Sequence, residues 1–491
     1  MRHGLSKSRI TAFEQCPKRL WLQVHRHGLA VAGAGAEARF EAGHAVGEEA
    51  CRQCPGGVMV EAEPDLAAAL ATTRALLDGG HHAPIFEATF EHDGVLVRCD
   101  VLEPDGPDGG WGGAWRMAEV KSSASAKAHH RGDLATQVWV ARGAGLRLSG
   151  AAIRHVDSAF VLAREGEYAG VFADAELLGE VEAVARERGA VAAAARAVLA
   201  GPEPELAPGD QCEAPFACEF TAYCHAGLPA GPEWPVTVLP NGGGKRWLAR
   251  GVEDLLAVPV AELSPLHARV QAATVSGVPF HDVEGARAAM AGWAFPRIWL
   301  DFETVGFALP RWVGTRPYEQ VPFQFSAHVE GAHGGFAHVE HLHLGGDDPQ
   351  RALAEALCRL PADGAVIAYN AAFERGVLRR LAERFGDLAA ALTSLADRVV
   401  DLLPVAKACW YHRDQRGSWS IKAVLPTIAP ELGYDALEVK DGGAAQEAFA
   451  EAIDAGCPAE RREALAAALR AYCGRDTWAM VVVARALCSE A

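Results

Sequence analysis

The chain has 491 residues, half of them apolar, and a formal net charge of −17 at pH 7. This length and apolar content predict a soluble, globular chain of about three domains. The acidic charge argues against a protein that coats nucleic acid through bulk charge, because phosphate affinity comes from Lys and Arg. It does not exclude a nuclease, since clustered metal-binding carboxylates themselves add negative charge.

Targeting signals and membrane segments are not predicted. No apolar leader follows the first residues, and no apolar run approaches about 18 residues. We therefore expect a cytoplasmic protein that does not contact a membrane. Its 12 cysteines are then expected to be reduced thiols and metal ligands.

Two short amphipathic helices are predicted at the N-terminus, where a serine N-cap candidate precedes the first and Cys16-Pro17 separates the two. A loop-like stretch at residues 211–224 carries Cys212, Cys218 and Cys224, with five residues between successive cysteines. These four thiols form one candidate set that can hold zinc or an iron–sulfur cluster. Cys473 and the other cysteines of the C-terminal part follow no ligand spacing, so we expect them to be packing residues.

Three strands are predicted between these cysteines, and the first two join in a hairpin at Asp93-Gly94. They cover residues 85–91, 95–102 and 115–121. Glu119 and Lys121 project from the same side of the third strand, so a carboxylate and an ammonium meet over one metal site. Asp100 on the neighbouring strand supplies a second ligand. The alternative is a cross-strand salt bridge.

Asp100 followed by Glu119-Val120-Lys121 resembles the acid, acid-x-Lys pattern of the PD-(D/E)XK nuclease fold. The resemblance extends to RecB-like nucleases, which implies that His44, in the helical segment 41–50, is a further metal ligand. It also implies that Gln137, in the helix after the third strand, contacts substrate. Ala141 departs from the pattern, because the family has a tyrosine four residues after that glutamine.

The split cysteine set resembles the iron–sulfur staple of the same RecB-like family, with one cysteine before the nuclease fold and three after it. The resemblance implies a [4Fe–4S] cluster, with Zn²⁺ as the alternative. The three C-terminal cysteines are more widely spaced than is usual in the family. The implied ligands are Cys16, Cys212, Cys218 and Cys224.

A Pro/Gly-rich stretch at residues 227–244 is predicted to end the first domain, and residues 229–294 are predicted to form a mostly helical linker. Beyond it, residues 298–304 predict a buried strand with Asp301 and Glu303 on one face. Carboxylates placed so close repel each other, so Mg²⁺ or Mn²⁺ is expected between them. The alternative is an acidic strand end exposed to solvent.

Two later segments add polar groups to this strand. A second apolar strand, from residue 365, runs into Asn370 and Glu374, and Tyr472 and Asp476 lie four residues apart on one helical face. Further strands are predicted at residues 323–329 and 336–344, followed by a helix at 349–360. The element order predicts an α/β domain.

The ordered motifs Asp-x-Glu, Asn-x-x-Phe-acid and Tyr-x-x-x-Asp resemble the DEDD exonucleases, in the subgroup that carries a tyrosine. The resemblance implies an RNase H-like fold and a 3′–5′ exonuclease-like site in which Tyr472 orients the attacking water. Glu374 departs from the family, which usually has Asp there. The implied ligands of two Mg²⁺ or Mn²⁺ ions are Asp301, Glu303, Glu374 and Asp476.

A loop at residues 307–318 interleaves Arg311, Trp312 and Arg316 with Pro and Gly. Such a loop can stack a base and pair a phosphate, so we expect Arg311 and Arg316, together with Asn370, to contact substrate. A plain surface loop is the alternative.

The whole chain resembles a bacterial family of unknown function in which an iron–sulfur RecB-like nuclease is fused to a DEDD-type exonuclease. The implied domains are residues 1–228, 229–294 and 295–491. The implied function is metal-dependent hydrolysis of nucleic acid, with DNA ends as substrate, in repair or defence. Asp100 and Glu119 would hold metal while Lys121 stabilises charge on the phosphate. The alternative is a nucleic-acid-binding scaffold with one or both sites inactive.

Overall fold

The computed structural model describes residues 4–31, 33, 35–63 and 65–490 as a mixed α/β chain, and three sheets lie within these ranges. The chain forms two compact units. The first is Met1–Leu228 with Phe307–Glu319, and the second is Pro229–Gly306 with Gln320–Ala491. No helix in the described part of the chain is long and apolar enough to cross a membrane.

A seven-stranded sheet lies at the centre of the first unit. Its strands are β1 (Leu5–Ser6), β2 (Val58–Met59), β3 (Ile85–His92), β4 (Val95–Asp105), β5 (Ala114–Lys121), β6 (Leu148–Val156) and β7 (Phe172–Glu176). They lie in the order β2-β3-β4-β5-β6-β7, with β1 beside β4. The predicted hairpin is confirmed: β3 and β4 pair antiparallel, and both turn residues, Asp93 and Gly94, have positive φ, as a two-residue hairpin turn requires.

The helices of the first unit pack around this sheet. They are α1 (Lys7–Gln15), α2 (Pro17–His25), α3 (Ala36–Arg52), α4 (Leu66–Asp78), α5 (Ala128–Gly143), α6 (Leu178–Ala200) and α7 (Thr221–Ala226). The predicted pair of N-terminal helices is confirmed. The Ser6 hydroxyl accepts a hydrogen bond from the N–H of Arg9 and begins α1, and Cys16 separates α1 from Pro17 at the start of α2.

Strands β1 and β5 share one edge of β4. Ser6 pairs with Leu96, and Val101, farther along β4, pairs with Ala118. Because β1 runs parallel and β5 antiparallel to β4, helix α1 begins close to the point where β5 ends at Lys121. The start of α1 therefore lies beside the predicted acid-x-Lys strand.

The second unit is built on a five-stranded sheet and a two-stranded ribbon. The strands are β8 (Phe280–His281), β9 (Arg297–Val305), β10 (Val321–Glu330), β11 (Phe336–Leu342), β12 (Val366–Ala368), β13 (Val399–Asp401) and β14 (Trp410–Tyr411). The large sheet has the order β11-β10-β9-β12-β13, in which β9, β10 and β11 are antiparallel and β12 and β13 run parallel to β9. The strands predicted in this half are therefore confirmed.

Ten helices are described in the second unit. They are α8 (Lys245–Leu248), α9 (Pro265–Ser276), α10 (Val283–Met290), α11 (Gln350–Leu357), α12 (Ala372–Arg384), α13 (Ala389–Asp397), α14 (Leu402–Cys409), α15 (Ile421–Val424), α16 (Gly442–Ala452) and α17 (Ala459–Cys488). The segment 229–294 is less helical than predicted, because its Pro/Gly-rich start forms only short turns. Strand β8 of this segment pairs with β14, which joins it to the second unit.

Helix α17 is fixed against the sheet by two buried polar side chains of β10. Gln324 donates a hydrogen bond of 3.0 Å to the carbonyl of Leu469, and the hydroxyl of Ser326 lies 2.9 Å from that of Thr477. The same two β10 residues pair with the acidic residues of β9. The middle turns of α17 therefore lie opposite the predicted Asp-x-Glu motif.

Candidate functional site

The first candidate site joins the end of β5 to β4, α1 and α5. We call it the first site; it consists of Lys7, Asp100, Glu119, Lys121 and Gln137. The ammonium of Lys121 lies 2.6 Å from Oε1 of Glu119. Asp100 accepts a hydrogen bond of 2.7 Å from the N–H of Val120, so its carboxylate lies against the acid-x-Lys segment. The structure thus brings together the three residues of the predicted motif.

Glu119 is 1% exposed and is surrounded by donors. Oε1 accepts from the ammonium groups of Lys7 and Lys121, and Oε2 accepts from the amide of Gln137. Burial opposes ionisation of Glu119, but the charges of Lys7 and Lys121 outweigh it and hold its pKa well below its usual range. Glu119 is therefore a carboxylate at neutral pH.

The pKa of Asp100 is shifted in the opposite direction to that of Glu119. Burial, together with the charge of Glu119, raises the pKa of Asp100 to about 7, against the pull of Lys7 and Lys121. Two adjacent carboxyl groups with pKa values shifted in opposite directions are typical of sites that bind cations or transfer protons.

Lys7 was not predicted as a site residue. The motif signals lie within strands, whereas Lys7 reaches Glu119 from a helix 112 residues earlier in the chain. Burial lowers its pKa, but the charges of Glu119, Asp100 and Asp133 outweigh this and raise it. A lysine directly after the N-cap serine was the only available signal.

Gln137 lies in α5, as predicted, and is completely buried. Its amide donates to Glu119 and, at 3.2 Å, to the carbonyl of Arg98. Its own oxygen is buried without a hydrogen-bond partner in the structure. Gln137 therefore orients Glu119, while its predicted contact with substrate stays a prediction.

Three further predicted residues that the structure assigns to the first unit lie in other settings. The side chain of His44 is 71% exposed on α3, with Nε2 3.2 Å from a carboxylate oxygen of Glu48. Arg311 and Arg316 belong to the segment that forms part of the first unit, where the guanidinium of Arg311 lies over the ring of Phe307. Their roles in metal and substrate binding stay predictions.

The four predicted cysteines line one small cavity, which we call the cysteine centre. Cys16, between α1 and α2, faces the loop that carries Cys212, Cys218 and Cys224. Burial raises the pKa of Cys218 and Cys224, and neighbouring thiols of the set add to the shift. The side chain of Gln15 donates to the carbonyl of Gln211 at 2.8 Å, which ties α1 to the same loop.

The second candidate site lies between β9, α12 and α17. We call it the second site; it consists of Asp301, Glu303, Glu374, Lys422, Tyr434, Tyr472, Cys473 and Asp476. Asp301, Glu303 and Cys473 each place a ligand atom within 4.8 Å of the other two, and among the described residues they form the candidate metal-binding group. Cys473 was expected only to pack; its place one residue after Tyr472 on α17 carries it to the acidic cluster.

The carboxyl groups of the second site repel one another. Burial, followed by the charges of Asp476, Glu303 and Glu374, raises the pKa of Asp301 well above its usual value. Burial and Asp476 raise the pKa of Glu303 to about 8, against the pull of Lys422. Burial also raises the pKa of Asp476. The predicted ligands are therefore brought together, from a strand and two helices, in a place that favours an added cation.

Tyr472 and Asp476 are held by one residue of α15 and one residue of the irregular segment between α15 and α16. The hydroxyl of Tyr434 donates a 2.5 Å hydrogen bond to Oδ1 of Asp476. Lys422 donates at 2.9 Å to the hydroxyl of Tyr472. In the sequence, Lys422 belongs only to a stretch of basic and aromatic residues, and no sequence pattern marks Tyr434 as a site residue.

Glu374 is the fourth acidic residue and lies in the first turn of α12. It is buried, burial raises its pKa to about 8, and Oε2 has no hydrogen-bond partner in the structure. Asn370 has a positive φ of 71° where the chain turns from β12 into α12, a conformation that Asn tolerates. Asp401 accepts hydrogen bonds from the N–H groups of Asn370, Ala371 and Leu403, so its carboxylate holds this turn.

Comparison with known families matches part of the second unit. Residues 298–420 match the family described as Domain of unknown function (DUF2779). The matched span contains Asp301, Glu303, Asn370 and Glu374, and it ends before Tyr472. A comparison with curated proteins found no match.

Proposed function

We propose that the protein is a metal-dependent nuclease with two active sites, which hydrolyse phosphodiester bonds at the ends of DNA. The observation that carries the proposal is the convergence of four buried or partly buried carboxyl groups from β9, α12 and α17 in the second site. Such a group needs cations in order to ionise at neutral pH, and Mg²⁺ and Mn²⁺ prefer oxygen ligands.

The chemistry of the second site fits divalent ions. Oε2 of Glu374 is buried without a partner, and an unpartnered buried carboxylate oxygen is costly unless a cation accompanies it. Asp301, Glu303, Glu374 and Asp476 would hold two ions, which when bound activate a water and stabilise the leaving oxygen. Tyr472, fixed through its hydroxyl by Lys422, would orient the attacking water.

In the first site, Asp100, Glu119 and the carbonyl of Val120 would hold a metal ion, with His44 as a further ligand. The ammonium of Lys121 would stabilise the charge that develops on the phosphate. Gln137 would keep Glu119 in position through its amide hydrogen bond.

Elements around each site support the two folds. In the first unit, an acid on β4, acid-x-Lys on β5, helix α5 and parallel β6 follow one another, as expected for a PD-(D/E)XK fold. In the second, three antiparallel strands precede α11 and the parallel strand β12, as expected for an RNase H-like fold.

The cysteine centre would hold an iron–sulfur cluster. The four thiols line one cavity although Cys16 lies far from the other three along the chain. This split set favours the cluster over a local zinc ribbon, and Zn²⁺ is the alternative. Brown protein with matching iron and sulfide would support the cluster, and colourless protein with stoichiometric zinc would exclude it.

The nuclease is tested with labelled single- and double-stranded DNA and RNA in Mg²⁺ or Mn²⁺. Asp301→Asn and Lys121→Met each remove one site without loss of volume. Matched controls are Asp387→Asn and Lys245→Met, which change exposed residues of the same types. We expect each site variant to lose a distinct part of the hydrolysis and the controls to keep all of it.

The rival function is a nucleic-acid-binding scaffold. If the wild-type protein hydrolyses none of these substrates, or if neither site variant changes hydrolysis, the nuclease proposal is wrong and the scaffold is favoured.

A further inference from the structure

The ammonium of Lys7 occupies the position beside Glu119 that a metal ion bound to this carboxylate would take. This ammonium bonds the same oxygen of Glu119 as Lys121 does. Glu119 is 1% exposed, whereas the side chains of Lys7 and Lys121 are 20% and 24% exposed. The two lysines are therefore partly open to solvent, as is Asp100, and an ion that binds at Oε1 of Glu119 meets both ammonium groups there.

The two sites differ in the proportion of positively charged groups to carboxyl groups. In the first site, the positive charge of Lys7 acts on both Asp100 and Glu119, and Lys121 adds a second positive charge. The second site holds four carboxyl groups, and the positive charges of Lys422 and Arg475 act on them. Coulomb attraction for a divalent ion is therefore weaker at the first site, where two ammonium groups offset two of the three nearby carboxylates, Asp100, Glu119 and Asp133.

Lys7 is also rigidly placed. Helix α1 begins directly after β1, which pairs with β4, and it ends at Cys16 in the cysteine centre. Within the helix, the hydroxyl of Thr11 donates a 2.7 Å hydrogen bond to Asp133. A lysine on a fixed helix loses little conformational entropy when it pairs with Glu119, so it competes with an ion more strongly than a mobile surface lysine would.

We propose that Lys7 is a built-in counter-ion of the first site, which a divalent ion must displace from Glu119, so that this site fills only at ion concentrations that already saturate the second. The exchange makes and breaks no covalent bond: the ammonium leaves Oε1 of Glu119 with its protons, and the ion takes its place. The inference rests on the proposed function in one respect, that these carboxylates hold metal.

The test is a Mn²⁺ titration of the full-length chain, in which electron paramagnetic resonance measures the free ion. The second site is removed in every sample by Asp301→Asn with Asp476→Asn. Lys7→Met is compared with Lys7→Arg, which keeps the charge, and with Lys245→Met, which changes net charge at an exposed position. Thermal unfolding of each variant verifies that it is folded.

We expect Lys7→Met to tighten Mn²⁺ binding about tenfold or more, and Lys7→Arg and Lys245→Met to leave it unchanged. Adding Glu119→Gln to Lys7→Met should abolish the increase in Mn²⁺ affinity. Unchanged or weaker binding by folded Lys7→Met would overturn the counter-ion role.

Different results would contradict the counter-ion proposal and the nuclease proposal. Tighter Mn²⁺ binding without hydrolysis of nucleic acid supports the counter-ion and contradicts the nuclease. Unchanged binding together with hydrolysis that depends on Lys121 contradicts the counter-ion and supports the nuclease.

Discussion

The hydroxyl of Tyr472 has a fixed acceptor role, because Lys422 donates to it at 2.9 Å while also donating to the carbonyl of Lys440 at 2.7 Å. Burial and the charges of Asp476 and Glu303 raise the pKa of Tyr472, so the group stays a phenol with a proton to donate. Lys422 thus directs that proton away from itself and toward the acidic cluster.

Tyr472→Phe and Lys422→Met are predicted to lower kcat of the second site by about 10- to 100-fold each, the size of a lost proton-positioning contact. Because the two residues act as one unit, the double variant should lose little more than either single variant. Steady-state kinetics in a Lys121→Met background measures this. Lys440→Met, whose side chain is exposed, is the control, and fully additive losses would contradict the coupling.

The raised pKa values of the second site make stability depend on pH. Glu303 and Glu374 have pKa values of about 8 in the folded chain against about 4.3 when unfolded, so near neutral pH the folded state binds more protons. Stability should then fall as pH rises. His328, whose pKa burial lowers to about 4, has the opposite effect only below about pH 6.5.

We therefore predict that, in chelator, the free energy of unfolding of the second unit falls between about pH 6.5 and 8. Mn²⁺ should restore it most at pH 8, where protons compete least with the ion. Chemical denaturation at several pH values measures both effects, and Asp301→Asn should flatten the slope. Stability that rises with pH in chelator would show that these carboxyl groups are not protonated in the folded chain.

At the scale of elements, the position of α17 depends on a buried polar contact with β10. The hydroxyl of Thr477 lies 2.9 Å from that of Ser326 and 2.8 Å from Nδ1 of His328, one residue after Asp476. Thr477→Val removes the partner of Nδ1 of His328, while Ser326 keeps its contact with His338, so we predict a loss of about 1–3 kcal/mol in urea unfolding, and weaker Mn²⁺ binding. Thr393→Val, on an exposed position of α13, should change neither.

The cysteine centre connects elements that lie far apart in sequence. Loss of the proposed cluster would reopen the long loop between Cys16 and the cysteines after residue 211, which should loosen the first unit. Cys16→Ser is therefore predicted to speed proteolysis of the first unit while the second unit stays resistant. Cys358→Ser, in the second unit, is the control. Equal resistance of both units in Cys16→Ser would mean that the centre has no structural role.

The elements that carry the motifs could be predicted because their signals are local. Asp301 and Glu303 share a face through the two-residue period of a strand, and Tyr472 and Asp476 through one helical turn. The contact of Lys7 with Glu119 could not be predicted, because it depends on the two-residue strand β1 pairing with β4 across most of the domain. Residues 307–319 likewise gave no sign that they belong to the first unit.

Tyr434 and Cys473 of the second site could not be predicted from local sequence patterns. Tyr434 lies in a stretch without helix or strand periodicity, so its hydrogen bond to Asp476 depends on tertiary packing alone. Cys473 lacked a ligand spacing because its neighbours in space, Asp301 and Glu303, come from a strand far earlier in the chain.

For the whole molecule, the net charge of −17 means that the proposed nuclease would hold nucleic acid through its two sites and not by general attraction. In the described part of each unit, one acidic cluster has its own lysine donors, so the two proposed active sites are separate. The proposal depends above all on divalent ions being held by the carboxylates of the second site.

The most direct test of that claim is anomalous X-ray scattering from crystals of the protein soaked in Mn²⁺. We predict manganese peaks bounded by Asp301, Glu303 and Asp476, with Glu374 as a further ligand. These peaks should be lost in Asp301→Asn. An ordered second unit with no manganese among these four residues would contradict it.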